Sequence, residues 1–476
     1  MGFTYGLAVF LLIFEVIIFR CAGDTDSPKR IQKAPNIDIE RDQSFLTELI
    51  EVIVSKTDFN TIHKAIRNGI VSANDHIMGR ALQDRIIVID PGRSDEIYEY
   101  YELGELFLNF GTHQRLSLFL DKFGHLVRRM KICYINDVAR NIMTENIIKS
   151  YANKLEDLRI VNRDVAGIWR ELSNGENDII FPEVKKFHYI GNSIRNEFKF
   201  NLIFPKLEEF KLLGDIDDVN CLANVKTLKK LSLHSTSIPE QLEDILKNNK
   251  DITSLYLARP NKPETMHWIA KYLPKLETLE VVDPGENILL RTNNGTIYKF
   301  PSMTRFSILV FDGYERIVTG NFSFDMPHLK KLTLHGSEAD IRIISLIEHF
   351  KELEIVELLF YGYDAVECLK KLKHIKEFGA YFMSRYGFEP LYQFDSLKKL
   401  FEDFDKESKL QTLKFVHFDE SLYQTYEDTM KKINIDLKKS MKPTWTLEGF
   451  QFQELKVEKN GFHLWLGCVR SYIRSD

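Results

Sequence analysis

Leu228-Lys229-Lys230-Leu231-Ser232-Leu233 reads apolar-x-x-apolar-x-apolar, and the same phrase returns at Ile252 to Leu257 and at Leu276 to Val281. Upstream it occurs at Val127 to Ile132, Leu155 to Ile160, Val184 to Tyr189 and Leu207 to Leu212. Downstream it occurs at Met303 to Ile308, Leu329 to Leu334, Leu353 to Leu358, Leu410 to Phe415 and Phe452 to Val457, with a weaker copy at Ile375 to Ala380. The central apolar residues stand at positions 130, 158, 187, 210, 231, 255, 279, 306, 332, 356, 378, 413 and 455. Ten successive intervals therefore fall between 21 and 29 residues before the last two widen to 35 and 42. One phrase carries no information, because any amphipathic strand can produce it. Ten intervals in approximate register define a repeat.

Alternate residues of a strand point to one side, so the apolar positions of each phrase can be buried only by the strands of neighbouring units. Between phrases lie stretches of helical period: Pro239 to Lys247 with Leu242, Ile245 and Leu246 on one face, Met266 to Leu273, and Ile341 to Phe350. The unit is therefore strand then helix. Several phrases open through an apolar residue and a proline, at Phe181-Pro182, Phe204-Pro205, Leu273-Pro274, Phe300-Pro301 and Met326-Pro327, where proline is expected to stop the preceding helix.

Phrase and period resemble those of leucine-rich-repeat proteins. The resemblance implies an α/β solenoid of horseshoe form, with about thirteen irregular repeats over residues 126–460 and a carboxy-terminal cap or tail over 461–476. In that family an Asn or Cys usually follows the phrase and bonds backbone in the turn. Here Asn192 takes that place, with Thr236 and Ser337 as substitutes, so the array should be irregular. One connection reads as a hairpin, Leu289 to Thr292 and Thr296 to Tyr298 flanking Asn293-Asn294-Gly295.

Ahead of the array, residues 44–125 are expected to form a mainly helical amino-terminal cap. Ser44 can cap a helix carrying Leu46, Leu49, Ile50, Ile53 and Val54, and a second helix is expected from Thr61 to about Ile70. Arg85 to Ile89 then reads as a buried strand ended by a turn. The runs Ala81-Leu82-Gln83-Asp84-Arg85-Ile86 and Phe123-Gly124-His125-Leu126-Val127-Arg128-Arg129-Met130-Lys131-Ile132 resemble the segment between the F-box and the first repeat of insect F-box/leucine-rich-repeat proteins. That resemblance, from about Phe45 onward, implies a substrate receptor of a ubiquitin ligase. The Leu-Pro opening and later Trp of the F-box are absent, so a diverged relative that has lost ligase attachment is expected.

Leu7 to Phe14 is an unbroken apolar run, extended by Val16 to Phe19 and ending at Ala22 and Gly23. Residues 1–23 thus read as a secretory signal, followed by a polar linker over 24–43. Its removal would leave no stable membrane insertion and a secreted chain. The alternatives are a membrane anchor through residues 3–19, short for a spanning helix, or a cytoplasmic protein. The sequons Asn294-Gly295-Thr296 and Asn321-Phe322-Ser323 are N-glycosylation candidates that fit export. The five cysteines are widely spaced and show no disulfide framework.

The 64 basic and 69 acidic side chains give a net charge of -5 without a basic block, so nucleic acid is not an expected partner. Lysine pairs such as Lys229-Lys230 and Lys330-Lys331 read as solvated positions. No phosphate loop, nucleophile elbow or zinc-binding motif occurs, so no catalytic residue, metal or cofactor is expected. Asp403-x-Asp405-x-Glu407 opens like a calcium loop, but Ser408 and Lys414 stand where glycine and glutamate are needed. What remains is the strand surface away from the core. The fifth place of the phrase supplies His188, Lys211, Ser232, Tyr256, Glu280, Ser307, Thr333, Glu357 and Lys414, a mixed row expected to meet a protein partner on a concave face.

Overall fold

A computed structural model describes residues 75–82, 85–89, 98–102, 105–109, 113–134, 147, 149–162, 179–191, 199–213, 220–234, 241–260, 262, 264–282, 297–309, 324–335, 350–360, 374–383, 412–418, 445–452, 457–459, 462–464 and 468–474. The chain divides into two compact units, residues 1–53 and 54–476, and every described residue belongs to the second. The signal-like segment, the polar linker, the helices expected at Ser44 and Thr61, and both sequons lie outside the described residues. Among the described residues no helix is long and apolar enough to cross a membrane.

The architecture is α/β, dominated by one sheet of seventeen strands. Its first members are β1 (Arg85–Ile89), β2 (Tyr98–Glu102) and β3 (Glu105–Asn109). The repeat strands begin with β4 (Arg129–Tyr134), β5 (Asp157–Asn162), β6 (Lys186–Ile190), β7 (Glu209–Leu213), β8 (Lys230–His234), β9 (Ser254–Ala258) and β10 (Thr278–Val282). After the two-residue β11 (Tyr298–Lys299) comes β12 (Arg305–Leu309), and after the two-residue β13 (Phe324–Asp325) comes β14 (Lys331–His335). The repeat strands end with β15 (Ile355–Phe360), β16 (Glu377–Met383) and β17 (Thr412–Phe418). Twelve strands, β4 to β10, β12 and β14 to β17, pair in parallel in chain order.

The register follows the phrase. Met130, Leu158, Phe187, Phe210, Leu231, Leu255, Leu279, Phe306, Leu332, Val356, Phe378 and Leu413 face one another as Cα partners across successive strands. From β4 to β15 the three apolar places of each phrase are buried and join one continuous core. A one-residue slip would turn every one of these side chains outward, which is why the apolar pattern fixes the register so firmly.

The proline positions have a more specific role than stopping a helix. Val184, Leu207, Leu276, Met303 and Leu329 each donate a backbone N–H to the carbonyl three residues back, at Phe181, Phe204, Leu273, Phe300 and Met326, over 3.2 to 3.3 Å. Proline thus occupies the second position of a four-residue turn, where its fixed φ suits the geometry and its missing N–H is not needed. The apolar residue opening each turn is buried, so the turn also plugs the core behind the strand.

Helices back the sheet where the period indicated them. The helix Leu242–Asn248 buries Leu242, Ile245 and Leu246, and the helix Thr265–Tyr272 buries Met266 and Ile269. Behind β6 and β7 the backing is the short helix Phe200–Ile203 with an aromatic cluster: Phe187 lies 4.6 Å from Phe204 and 5.7 Å from Phe200 between ring centroids. The helical-period stretch from Ile341 falls outside the described residues up to Phe350.

Two expectations change among the described residues. The described part of residues 44–125 is mixed rather than mainly helical: the helices Asp75–Leu82 and His113–Phe123 accompany three strands that extend the sheet. β1 is buried on both faces, with Ile87 and Ile89 in the main core and Ile86 and Val88 packed with Phe107 in a second apolar cluster. A strand covered on both sides is continuously apolar, and this one runs Ile-Ile-Val-Ile. The thirteenth phrase, Phe452 to Val457, adds no parallel strand. Phe452 ends β18 (Trp445–Phe452), which pairs antiparallel with β21 (Cys468–Arg474), while Val457 begins the small hairpin of β19 (Val457–Lys459) and β20 (Phe462–Leu464). β21 also pairs antiparallel with β17, closing the parallel series. Tyr298 pairs in parallel with Phe324, and Lys299 with Asp325. The expected hairpin, apart from Ile297 and Tyr298, lies outside the described residues.

Candidate binding face of the sheet

Because alternate side chains project to opposite sides, each strand carries its third, fifth and seventh phrase positions away from the main core. The register aligns the fifth positions into one row: His188, Lys211, Ser232, Tyr256, Glu280, Ser307, Thr333 and Glu357 are consecutive partners across eight strands. Gly379 follows, and Lys414 stands opposite it on β17, where only the backbone is described. The row is thus continuous from His188 to Glu357. Among these eight, Thr333 is buried and the other seven are half-buried.

Charge is organised along this face. Near its amino-terminal end Asp157 is nearly buried and held by Arg159 through two hydrogen bonds of 3.0 and 2.9 Å, with Arg129 at 3.3 Å. Lys131 and Arg159 lie over the Phe107 ring, 4.7 and 5.7 Å from its centroid. Two strands on, Glu209 is 3.0 Å from the His188 ring nitrogen, with Lys186 and Lys230 at 3.9 and 3.8 Å. The His188 hydrogen bond is the main cause holding the Glu209 carboxyl down at about 2, against desolvation and with Coulombic help from His188, Lys186 and Lys230. Toward the other end Lys331 and Thr333 donate to the two oxygens of Glu357 over 2.8 and 3.0 Å.

The centre is different. His234, at the seventh position of β8, stacks on Tyr256 with ring centroids 3.8 Å apart and an interplanar angle of 21°. Glu280 follows Tyr256 in the row, and burial pushes its carboxyl above the usual carboxylate range despite Lys211 and Lys331. Among the described residues, no hydrogen bond or ion pair reaches the Glu280 carboxylate.

A second charged column runs just before the strands. Arg128, Glu156, Lys185, Glu208, Lys229, Thr253, Glu277, Thr304, Lys330, Glu354 and Lys376 are linked in that order, each backbone N–H donated to the carbonyl of the one before. Signs alternate through most of this series. Lys229 pairs with Glu208 at 3.0 Å and Lys376 with Glu354 at 2.6 Å, and beside them Lys275 meets Asp251 at 2.6 Å. The lysine pairs that read as merely solvated are thus placed opposite carboxylates of adjoining repeats.

Reading the fifth position alone captured the row but missed what surrounds it. Asp157, Glu209 and His234 belong to the third and seventh positions of the same phrase, so the signal was present once all outward positions were read together. Asn249 had no such signal. Its carboxamide is buried at the end of the helix Leu242–Asn248, donates to the Val225 and Ile245 carbonyls at 2.8 Å, and accepts the Leu228 N–H at 3.0 Å. It ties a turn down before the phrase, whereas Asn192, Thr236 and Ser337 after it lie outside the described residues. Among the described residues no three His, Cys, Asp or Glu side chains gather as a metal site requires. A scan of the chain against protein-family models finds no match, and a search of curated proteins finds no significant one.

Proposed function

We propose that this chain is a non-enzymatic, exported protein-binding leucine-rich-repeat protein that engages its partner through the strand face of a horseshoe-shaped solenoid. The observation that carries this reading is the unbroken outward row from His188 to Glu357, with an aromatic stack at its centre. Repeat arrays collect side chains from successive strands onto one surface, while their outer helices present separate ridges. Central aromatics dominate the energy of many protein interfaces, and Tyr256 sits near the middle of the row. The twelve strands in phrase register support the repeat assignment, and the apolar run at residues 7–19 supports export.

The test uses the full chain in cells of its native source. A photoreactive amino acid at Ser232 or Ser307 should give a discrete cross-linked protein, and the same group at Lys247 on the outer helix should not. With that partner, Tyr256→Ala should weaken binding by about 1 to 2 kcal/mol, roughly five- to thirty-fold, and Lys247→Ala should change little. Cross-links confined to the helix position would refute the site. Intact mass should show loss of the first 23 residues or so and glycan at Asn294 or Asn321; an unglycosylated protein retaining Met1 would refute export.

A further inference from the structure

Charge is unevenly spread over the strand face. From β4 to β8 the third and fifth places of the phrase hold six lysines and arginines against two carboxylates, Asp157 and Glu209. In the repeat strands from β9 to β15 the same places hold two of each sign. Each strand supplies only one or two of the cations, and the parallel register gathers them into one patch. Its accessible part surrounds Glu209. Lys186 and Lys230 are the cross-strand partners of Glu209 on either side, and His188 and Lys211 are partners in the next column. The His188 ring nitrogen is at 3.0 Å, but the two lysine ammoniums stand at 3.9 and 3.8 Å, beyond hydrogen-bond length. Their side chains are 47% and 59% exposed, so both remain open to an incoming group. Lys211 is half-buried and makes no ion pair among the described residues. One carboxylate thus faces three ammonium groups and an imidazole. It cannot neutralise them all, and like charges held close together repel.

We propose that this patch receives an acidic segment of the protein partner, whose Asp or Glu carboxylates pair with Lys186, Lys211 and Lys230. This rests on the reading of the strand face as the binding surface and gives the partner its chemistry. An incoming carboxylate would accept hydrogen bonds from ammonium groups that Glu209 does not reach, and its charge would offset the local excess. Five strands at about 4.8 Å span about 19 Å, the length of roughly six extended residues, so alternate side chains of one strand-like segment can meet the patch. The carboxylates set among the cations disfavour a continuous polyanion. A phosphate or sulfate chain crossing the patch would meet Asp157 and Glu209 as well as the lysines, whereas a peptide can place its carboxylates selectively. Beyond Lys211 the row continues through the uncharged Ser232 and Tyr256, so the same segment can run on to the centre of the face.

A random 12-residue peptide library displayed on phage is selected against the immobilised full chain at neutral pH, and the enriched peptides are titrated by fluorescence anisotropy. Enriched sequences should be rich in Asp and Glu, and replacing these with Asn and Gln should weaken binding roughly tenfold or more. Lys186→Gln, Lys211→Gln and Lys230→Gln combined should do the same. An equal loss of charge at Lys226, Lys247 and Lys250, exposed and outside the strands, should change affinity less than about twofold. Lys211→Gln alone gives up no ion pair among the described residues, so it should melt with the parent chain and still weaken binding about threefold. Glu209→Gln should tighten binding about two- to threefold, a gain that a merely structural role for Glu209 would not produce. Peptides that need Tyr256 but neither their acidic residues nor the three lysines would overturn the acidic occupant and leave the binding face standing. A heparin fragment or single-stranded DNA that binds more tightly than the peptides, with the same lysine dependence, would replace the acidic protein segment with a polyanion. Peptides indifferent to Tyr256 and to the lysines alike, or no enrichment over the starting library, would overturn both the patch and the face.

Discussion

The side-chain oxygen of Asn249 accepts the backbone N–H of Leu228 at 3.0 Å, joining the end of a helix to the opening of the phrase in its own repeat. The same carboxamide donates to Val225 and Ile245 at 2.8 Å, and the residue is only 1% exposed. Asn249→Ala would withdraw a partner from three backbone groups away from water. It should destabilise the chain by about 2 to 4 kcal/mol, read from denaturant unfolding. Its neighbour Asn248 is exposed and makes one bond, to the Ala223 carbonyl, so Asn248→Ala should cost about 1 kcal/mol or less. Equal effects would contradict the clamp.

Leu231 and Leu332 occupy the central place of their phrases, 1% and 0% exposed, and each meets its counterpart on the strands at either side. Leu231→Asp or Leu332→Asp would bury a carboxylate with no ion-pair partner and should cost several kcal/mol. A circular-dichroism melt indistinguishable from the parent's would contradict the shared core.

Glu209 predicts a particular acid sensitivity. Its carboxyl is lowered from 4.5 to about 2 in the folded chain, first by the His188 hydrogen bond and then by the surrounding cations. A depressed carboxylate contributes stability that is present above its unfolded value and lost as pH falls through its folded value. The relevant window is therefore pH 4.5 down to about 2, with at most about 3 kcal/mol involved. Unfolding of Glu209→Gln followed across that window should show a shallower loss than the parent chain. Identical acid limbs would show that the interaction contributes nothing.

The alternating column predicts salt-dependent stacking. Lys229 and Glu208 are 3.0 Å apart with side chains 56% and 41% exposed, so the pair by itself is weak. Glu208→Lys would line up three cations on successive repeats, and should cost about 0.5 to 1 kcal/mol more than Glu208→Gln at low salt. At about 1 M salt, where screening acts over roughly 3 Å, the two variants should melt together. A difference that persists there would point to packing instead of charge.

The sequence by itself determined the parallel array: the central residues of twelve phrases, from Met130 to Leu413, are the ones the strands set opposite one another. It could do so because burial of a period-two strand depends on local spacing, and each unit meets only its nearest neighbours. The same logic gave the row from His188 to Glu357, since a register fixed by the apolar places also fixes the outward ones. Tertiary structure alone decided which outward groups are paired. Arg159 reaches back to Asp157 on its own strand, His188 meets Glu209 on the next, and His234 crosses to Tyr256, while Glu280 is passed over. The contacts that cross strands depend on side-chain directions some twenty residues apart, which no local spacing records. The ends of the sheet likewise escaped the pattern, because antiparallel strands such as β2, β18 and β21 are recruited by pairing to an edge and need not repeat the phrase.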